Sequence, residues 1–451
     1  MDSSQRQAGT EQFEPLEFIM AGVLHREQRN GRRYHGLEGK RIALFTGAYD
    51  YISDGVTLTL NRLVRYLEDH GVHVLVFAPT TQEPPPIKHA GRLVSVPSIS
   101  IPGRSDYRLA LGMPRKARAK LAAFAPDLVH IATPDYMGAR ALGWARTRNI
   151  PVVTSFHTHF GAYLKHFVSY HRLYRMDFLE RTVWRYVRWF YPRCAHVYVP
   201  TVSIAKELRA RGIRDGLRLW PRGVDTTLYN PSKRSLPWRR SLGIADDEVV
   251  IAFVSRLVWE KGLYVFADVI EALHAQGIPH RSIIVGEGPA RETLVNRLRN
   301  TIFTGPLSGD ALARAYASSD VFLFPSDTET FGNVTLEAMA SGLPAVCANA
   351  TGSSSLVTDG KTGILARPGD AASFVDAVKR LAMDPALRRE FSTQALARVK
   401  MFTWEDAMAG IAGYYEDLLL PPLITPPIEG DGLVPAEIGV STPVLAPTAS
   451  V

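Results

Sequence analysis

The chain has 451 residues, too many for one hydrophobic core, which points to two or three domains. Its 46% hydrophobic and 21% charged residues are ordinary for a globular protein, and no run approaches the roughly eighteen apolar residues of a membrane span. Its two cysteines, Cys194 and Cys347, exclude a disulfide framework and a cysteine-built metal cage, while a formal charge of +8 leaves room for a nucleotide, a nucleic acid or an anionic lipid surface as partner.

Residues 1–39 are polar, lack an apolar signal core and show no periodicity, so they are expected to form a flexible extension of a cytoplasmic chain. From Lys40 onward, strand-like and helix-like runs alternate. Arg41–Thr46 predicts a strand, Val56–Glu68 a helix and Val72–Ala78 a second strand. Asp127–Ile131 and Pro151–Ser155 predict two more strands, with a helix over Met137–Arg146 between them. This alternation is the pattern of a parallel sheet wound on both faces.

Phe156–Tyr198 is both aromatic and basic. Lys165, Arg172, Arg175, Arg181, Arg185 and Arg188 are interleaved with Tyr163, Phe167, Tyr170, Trp184, Trp189 and Phe190. The stretch suits either a membrane surface or a partly buried helix whose arginines reach into solvent. No motif for reading nucleic acid accompanies the charge, so no nucleic-acid partner is expected.

A second α/β unit begins near Gly223. Val249–Val254 and Ser282–Val285 predict strands on either side of a helix over Tyr264–Gln276, and further strands lie near Ile302, Val321 and Ala345. A helix over Trp404–Leu420 precedes a tail with seven prolines in 31 residues, which is expected to be disordered. The predicted division is therefore 1–39 extension, 40–221 first α/β domain, 222–403 second α/β domain, 404–420 a C-terminal helix, and 421–451 tail.

The polar clusters fall at strand ends, where ligands of such sheets bind. Ser255–Gly262, S-R-L-V-W-E-K-G, brings Arg256 and Lys261 to the loop after a strand. Two fixed cations there can stabilise a diphosphate leaving group, although solvated surface cations would carry the same signature. In Pro325–Gly342 a strand ends at a Pro, and a helix starts at Asn333, expected as its N-cap. Helix starts suit phosphates, and the flanking Glu329 and Glu337 suit vicinal hydroxyls; alternatively both are ordinary solvated charges. Gly286-Glu-Gly-Pro289 lacks the third glycine of a dinucleotide fingerprint, having Arg291 there. Gly55 either lets backbone approach a phosphate or simply makes a tight turn. His157, just past a strand in F-H-T-H-F, is the histidine best placed for a polar or acid/base role, and His159 has no partner at metal-site spacing.

Together R-L-V-W-E-K-G, V-G-E-G-P, F-T-G-P-L and E-T-F-G-N-V-T-L-E-A-M-A-S-G-L-P resemble the retaining glycosyltransferases of family four, with the two-Rossmann-domain GT-B fold, over about 40–420. S-F-H-T-H, R-L-W-P-R-G-V-D and A-Y-A-S-S-D-V-F-L-F-P-S are most similar to sulfoquinovosyldiacylglycerol synthases and the related lipid α-mannosyl- and glucosyltransferases. The resemblance implies transfer of a sugar from a UDP-sugar or GDP-mannose to a hydroxyl, with retention and without a metal or other cofactor. The acceptor it implies is a membrane lipid such as diacylglycerol or a glycolipid, met by a chain peripheral to the inner membrane face.

By the same resemblance, Arg256 and Lys261 clamp the diphosphate, Glu329 meets the sugar hydroxyls and Glu337 holds the ribose. The backbone of Phe331, Gly332, Asn333 and Val334 caps the phosphates, His157 faces the sugar, and Gly55 lies at the donor–acceptor loop. The C-terminal helix would pack back on the N-terminal domain. One departure is the loop G-A-Y-D-Y-I-S-D-G-V, which lacks the double glycine of many members. The alternatives are a nucleotide-sugar 2-epimerase, a transferase with a soluble or polysaccharide acceptor, and a non-catalytic carbohydrate-binding module. Oligomeric state is open.

Overall fold

The computed structural model describes residues 36–52, 54–81, 85–101, 104–157 and 176–420. The expectations for the termini, for His159 and for Lys165–Arg175 therefore fall wholly or largely outside the described residues.

Two parallel sheets organise the chain. The first has seven strands in the order β3-β2-β1-β6-β7-β8-β9. They are β1 Arg41–Phe45, β2 His73–Pro79, β3 Arg92–Val96, β6 Leu128–Ile131, β7 Val152–Ser155, β8 His196–Val199 and β9 Leu217–Leu219. A separate antiparallel hairpin, β4 Ser98–Ile101 with β5 Arg104–Ala110, leaves the sheet after β3. Pro97 sits at that exit and has no N–H to continue a ladder. The alternation read from the sequence passes over this hairpin, because its short polar strands carry no continuous apolar run.

The second sheet has six strands in the order β12-β11-β10-β13-β14-β15. They are β10 Val250–Val254, β11 Arg281–Val285, β12 Thr301–Gly305, β13 Val321–Phe324, β14 Ala345–Ala348 and β15 Gly363–Ala366. The central strands β10, β13 and β14 are buried at every position, which is why they appear in the sequence as unbroken apolar runs.

Six helices matter for the site: α1 Gly55–Asp69, α2 Met176–Phe190, α3 Leu263–Ala275, α4 Asn333–Ala340, α5 Thr351–Leu356 and α6 Trp404–Leu419. Although α6 follows the second sheet in sequence, it packs on the first. Its Met408, Ile411 and Tyr415 share a core with Leu60, Leu63 and Leu67 of α1 and with Val74 and Val76 of β2.

In each sheet the strand order reverses beside its first strand, between β1 and β6 and between β10 and β13. Connections leave in opposite directions at such a point, so a crevice opens at the carboxyl ends of the strands. In the second sheet the crevice lies between the loops 255–262 and 325–332, which carry Arg256, Lys261 and Glu329.

The chain crosses between the sheets twice, and the two crossings touch. Val224 N–H donates to Phe402 C=O at 3.0 Å. A Cβ on Gly223 would lie 2.2 Å from Trp404 N, so no larger residue fits without moving that backbone.

Candidate functional site

The loop after β10 and the loop after β13 are pressed together by backbone contact. A Cβ on Gly262 would lie 2.6 Å from Pro325 C and O, and φ there is +76°, a left-handed value suited to glycine. This approach brings Lys261 Nζ to 2.5 Å from Glu329 Oε1, with both side chains largely buried. Ser326 Oγ donates to the same carboxylate oxygen at 3.2 Å. The carbonyl of Glu329 accepts from Gly352 N at 2.8 Å and from Thr351 Oγ1 at 2.6 Å, which ties the loop to the start of α5.

Arg256 is exposed in the loop after β10. That loop is held from below by the G-E-G-P turn, since Leu257 N donates to Glu287 O at 2.8 Å and Ala290 N to Leu257 O at 3.0 Å. A Cβ on Gly288 would come within 2.5 Å of Leu257 O, so this glycine serves loop packing.

The start of α4 differs from the expected cap. Gly332, with φ +98°, occupies the N-cap and Asn333 is the first helical residue, so no side chain caps the helix. The first N–H groups of a helix have no partner within it, and here they have none from a capping side chain. Asn333 Oδ1 is buried without a hydrogen-bond partner among the described residues.

One turn into α4, Glu337 Oε2 accepts from Tyr316 OH at 3.1 Å. Burial raises the Glu337 carboxyl to about 7, while the Tyr316 hydrogen bond and the charge of Arg62 pull the other way. Arg62 belongs to α1, so a cation of the first sheet's unit acts on a carboxylate of the second. Its guanidinium also lies 4.4 Å from the ring centre of Trp404 in α6.

His157 comes to this place from the end of β7. Thr330 Oγ1, one residue beyond Glu329, donates to the His157 carbonyl at 3.3 Å. Arg222 Nη2 is 2.9 Å from His157 Nδ1, and His157 Nε2 is buried with no partner among the described residues. Burial, and after it the charges of Arg222 and His130, hold the imidazole well below its ordinary pKa, so it is neutral. Further ties link the two units: Thr201 Oγ1 donates to Thr330 O at 3.3 Å and Ser203 Oγ to Thr351 O at 2.5 Å. Gly55, the first residue of α1, faces Asn333; a Cβ there would lie 2.8 Å from Asn333 Nδ2.

Lys261, Glu329 and the Phe331–Val334 turn thus line one side of the crevice, with Arg256 on the same strand-end loop and Glu337 a turn further into α4. His157 and Gly55 approach from the other unit. Arg62, Tyr316 and Arg222 were not singled out in the sequence. Arg222 stands in the R-L-W-P-R-G-V-D motif, whereas Arg62 is one of several cations on a helix face and has no local signal. The chain's Asp246-Asp247 pair lies in the turn before β10, at the other end of that strand, where Asp246 is bound to Arg240. Among the described residues no three of His, Cys, Asp and Glu converge to hold a metal ion.

Comparison with known proteins identifies two family models along the chain. "Glycosyltransferase Family 4" matches residues 53–228 and "Glycosyl transferases group 1" matches residues 248–384. The GDP-mannose-dependent alpha-mannosyltransferase of Mycolicibacterium smegmatis is 34% identical, over 84% of this chain and 98% of that one. Sulfoquinovosyl transferase SQD2 of Arabidopsis thaliana is 33% identical, over 82% of this chain and 72% of that one. Among solved structures, sucrose-phosphate synthase from Thermosynechococcus elongatus superposes with a TM-score of 0.68 at 23% identity, covering 84% of this chain and 99% of that one, which shows a shared fold. The chain belongs to the family-four glycosyltransferases and has their GT-B architecture of two Rossmann-like domains.

Proposed function

We propose that this glycosyltransferase moves a sugar from a nucleotide-diphosphate donor, a UDP-sugar or GDP-mannose, to a hydroxyl of a membrane lipid, with retention and without a metal. The donor classes follow its resemblance to lipid glycosyltransferases, and one relative is named for GDP-mannose dependence.

The observation that supports the reading most is the Lys261–Glu329 pair at 2.5 Å. Without ligand, each group satisfies the other. An arriving diphosphate gives Lys261 a new anion and frees Glu329 to accept hydrogen bonds from sugar hydroxyls. Lys261 and Arg256 then stabilise the charge that develops as the anomeric C–O bond to phosphate breaks. The acceptor oxygen forms its bond to the anomeric carbon on the same face, and its proton passes to the departing phosphate oxygen. Glu337 takes the ribose hydroxyls, and the uncapped start of α4 lies against the phosphates.

The test is a panel of UDP- and GDP-sugars with lipid extract, with product anomers assigned by NMR and parallel reactions in EDTA. Transfer with retention that survives EDTA is expected. An inverted product, donor epimerisation without transfer, or activity lost in EDTA and restored by Mn²⁺ would each overturn part of the reading. A soluble glycan serving better than any lipid would move the acceptor to the alternative class.

A further inference from the structure

The linker between the two sheets carries a buried cation that the proposed chemistry does not use. Arg222 is 6% exposed, yet no carboxylate pairs with it among the described residues. Its Nη1 donates to the carbonyls of Trp220, at 2.9 Å, and Pro221, at 3.3 Å. The guanidinium stands 4.6 Å from the centre of the Trp220 ring. Burying an arginine without a counter-ion is expensive, and an apolar or amide side chain would fill the space at lower cost. The charge therefore calls for a reason beyond packing.

Its remaining bond supplies one. Arginine only donates, so His157 Nδ1, 2.9 Å from Arg222 Nη2, must accept. The ring proton is then on Nε2, which is buried and meets no acceptor in the described structure. The ring is braced edge-on against Trp220, with centroids 5.6 Å apart. The backbone of His157 is held by Thr330, beside Glu329. Among the described residues, the other titratable group acting on the ring is His130 of β6, whose two nitrogens are occupied by Tyr415 OH at 2.6 Å and Ser155 Oγ at 2.5 Å.

We infer that Arg222 is a positioning residue that locks His157 as the neutral Nε2–H tautomer, making it a hydrogen-bond donor to an oxygen of the bound sugar and not a proton acceptor. This rests on the reading that His157 faces the donor sugar. Burial first, and a cation against Nδ1 second, oppose imidazolium formation, so the histidine donates without titrating. Because Gly223 is wedged against Thr403 and Trp404, the position of Arg222 is also tied to the second crossing between the sheets.

The test uses the full chain labelled with ¹⁵N-histidine, with His157→Gln to identify the His157 signals. Wild type should show Nδ1 unprotonated and Nε2 protonated, with no titration from about pH 8 to about pH 5. Arg222→Met should mix the tautomers, move the His157 titration upward from its buried value and lower kcat by about 100-fold. The donor KM should change by less than about threefold. Arg222→Lys, which keeps a charged donor, should recover most of the loss. If Arg222→Met does not fold, Arg222→Gln is measured instead, because it retains a donor but removes the charge. It should keep the tautomer and move the titration upward. Unchanged titration and kcat in the folded variant would overturn the inference. If His157→Gln turns over like wild type, the placement of His157 at the sugar fails. If His157→Gln is crippled while Arg222→Met behaves as wild type, only the role of Arg222 fails.

Discussion

Gly55, at the start of α1, and Asn333, at the start of α4, face each other across the crevice with no room for a methyl group: a Cβ on Gly55 would lie 2.8 Å from Asn333 Nδ2. The two helix starts belong to different sheets, so their spacing sets how near the two halves can come. The obstructing atom is the end of a side chain and can rotate away. Gly55→Ala is therefore expected to lower kcat/KM only a few-fold, roughly 1 kcal/mol, whereas Gly55→Leu should cost 2 kcal/mol or more, about 30-fold. A double-mutant cycle checks the cause: the Gly55→Ala loss should shrink in an Asn333→Ala background. Losses that add independently would show that the two residues do not meet during turnover.

The cations of the β10 loop give the next expectation. Arg256→Ala and Lys261→Ala should each lower kcat/KM by about 30- to 1,000-fold, corresponding to roughly 2–4 kcal/mol for a charge-assisted contact in a closed crevice. Lys261→Ala also strips Glu329 of its ion-pair partner, whose side chain is only 15% exposed, so a modest loss of thermal stability should accompany it. Arg256 is exposed, and its removal should cost less thermal stability than that of Lys261. Near-normal kcat/KM in both variants would remove them from the chemistry.

These loops were legible because buried parallel strands are continuous apolar runs and their ends are punctuated by Pro325 and Gly262. The cap of α4 was not. Asn333 is a favoured N-cap residue, but the chain turns at Gly332 with φ +98°, a conformation glycine adopts freely, and this moves the cap back by one. The partners of the site were beyond local reading for a different reason. Arg222 lies 65 residues from His157, and Tyr316 lies 21 from Glu337. Only the parallel register of the sheets brings such pairs together.

If Glu337 holds the ribose as proposed, donor binding should depend on pH. Its carboxyl is raised to about 7 from an ordinary value near 4.5, chiefly by burial. Ribose hydroxyls donate hydrogen bonds, so they bind the ionised form better and compete with its proton. As pH falls through about 7, the acid becomes protonated and donor KM should rise, approaching tenfold per pH unit below it. The stability effect has the opposite sense. A raised folded-state pKa stabilises the fold below the unfolded value, and that contribution is lost as pH rises through about 7. Glu337→Gln should flatten the donor KM profile. A wild-type KM that is constant from pH 6 to pH 8 would show that Glu337 does not meet the nucleotide.

The proposed lipid acceptor would be met at α2. Its Trp184, Val187 and Phe190 enter the core of the first sheet, so part of the basic, aromatic stretch is ordinary packing. The opposite face remains available: Arg181, Arg185 and Arg188 are exposed, as are Phe178 at 68% and Trp189 at 43%. Arg181 and Arg188 also line a surface hollow with Glu180, Trp184 and Arg211, in which Arg211 is already held by Glu180 and Glu207. An arginine near an anionic bilayer contributes about 1 kcal/mol, so three of them amount to roughly 3 kcal/mol, or about 100-fold in partitioning. Aromatic rings at headgroup depth would add to this without a spanning helix, and no helix among the described residues is long and apolar enough to span. Wild type should therefore sediment with liposomes in proportion to their anionic content, and less so as salt increases. Arg181→Ser, Arg185→Ser and Arg188→Ser combined should lose most of this binding while keeping the fold, because all three side chains are exposed. Activity on a lipid acceptor in vesicles should fall with it, and activity on the same acceptor in detergent should not. Sedimentation indifferent to lipid charge and to the three substitutions would assign this face to solvent and favour a soluble acceptor.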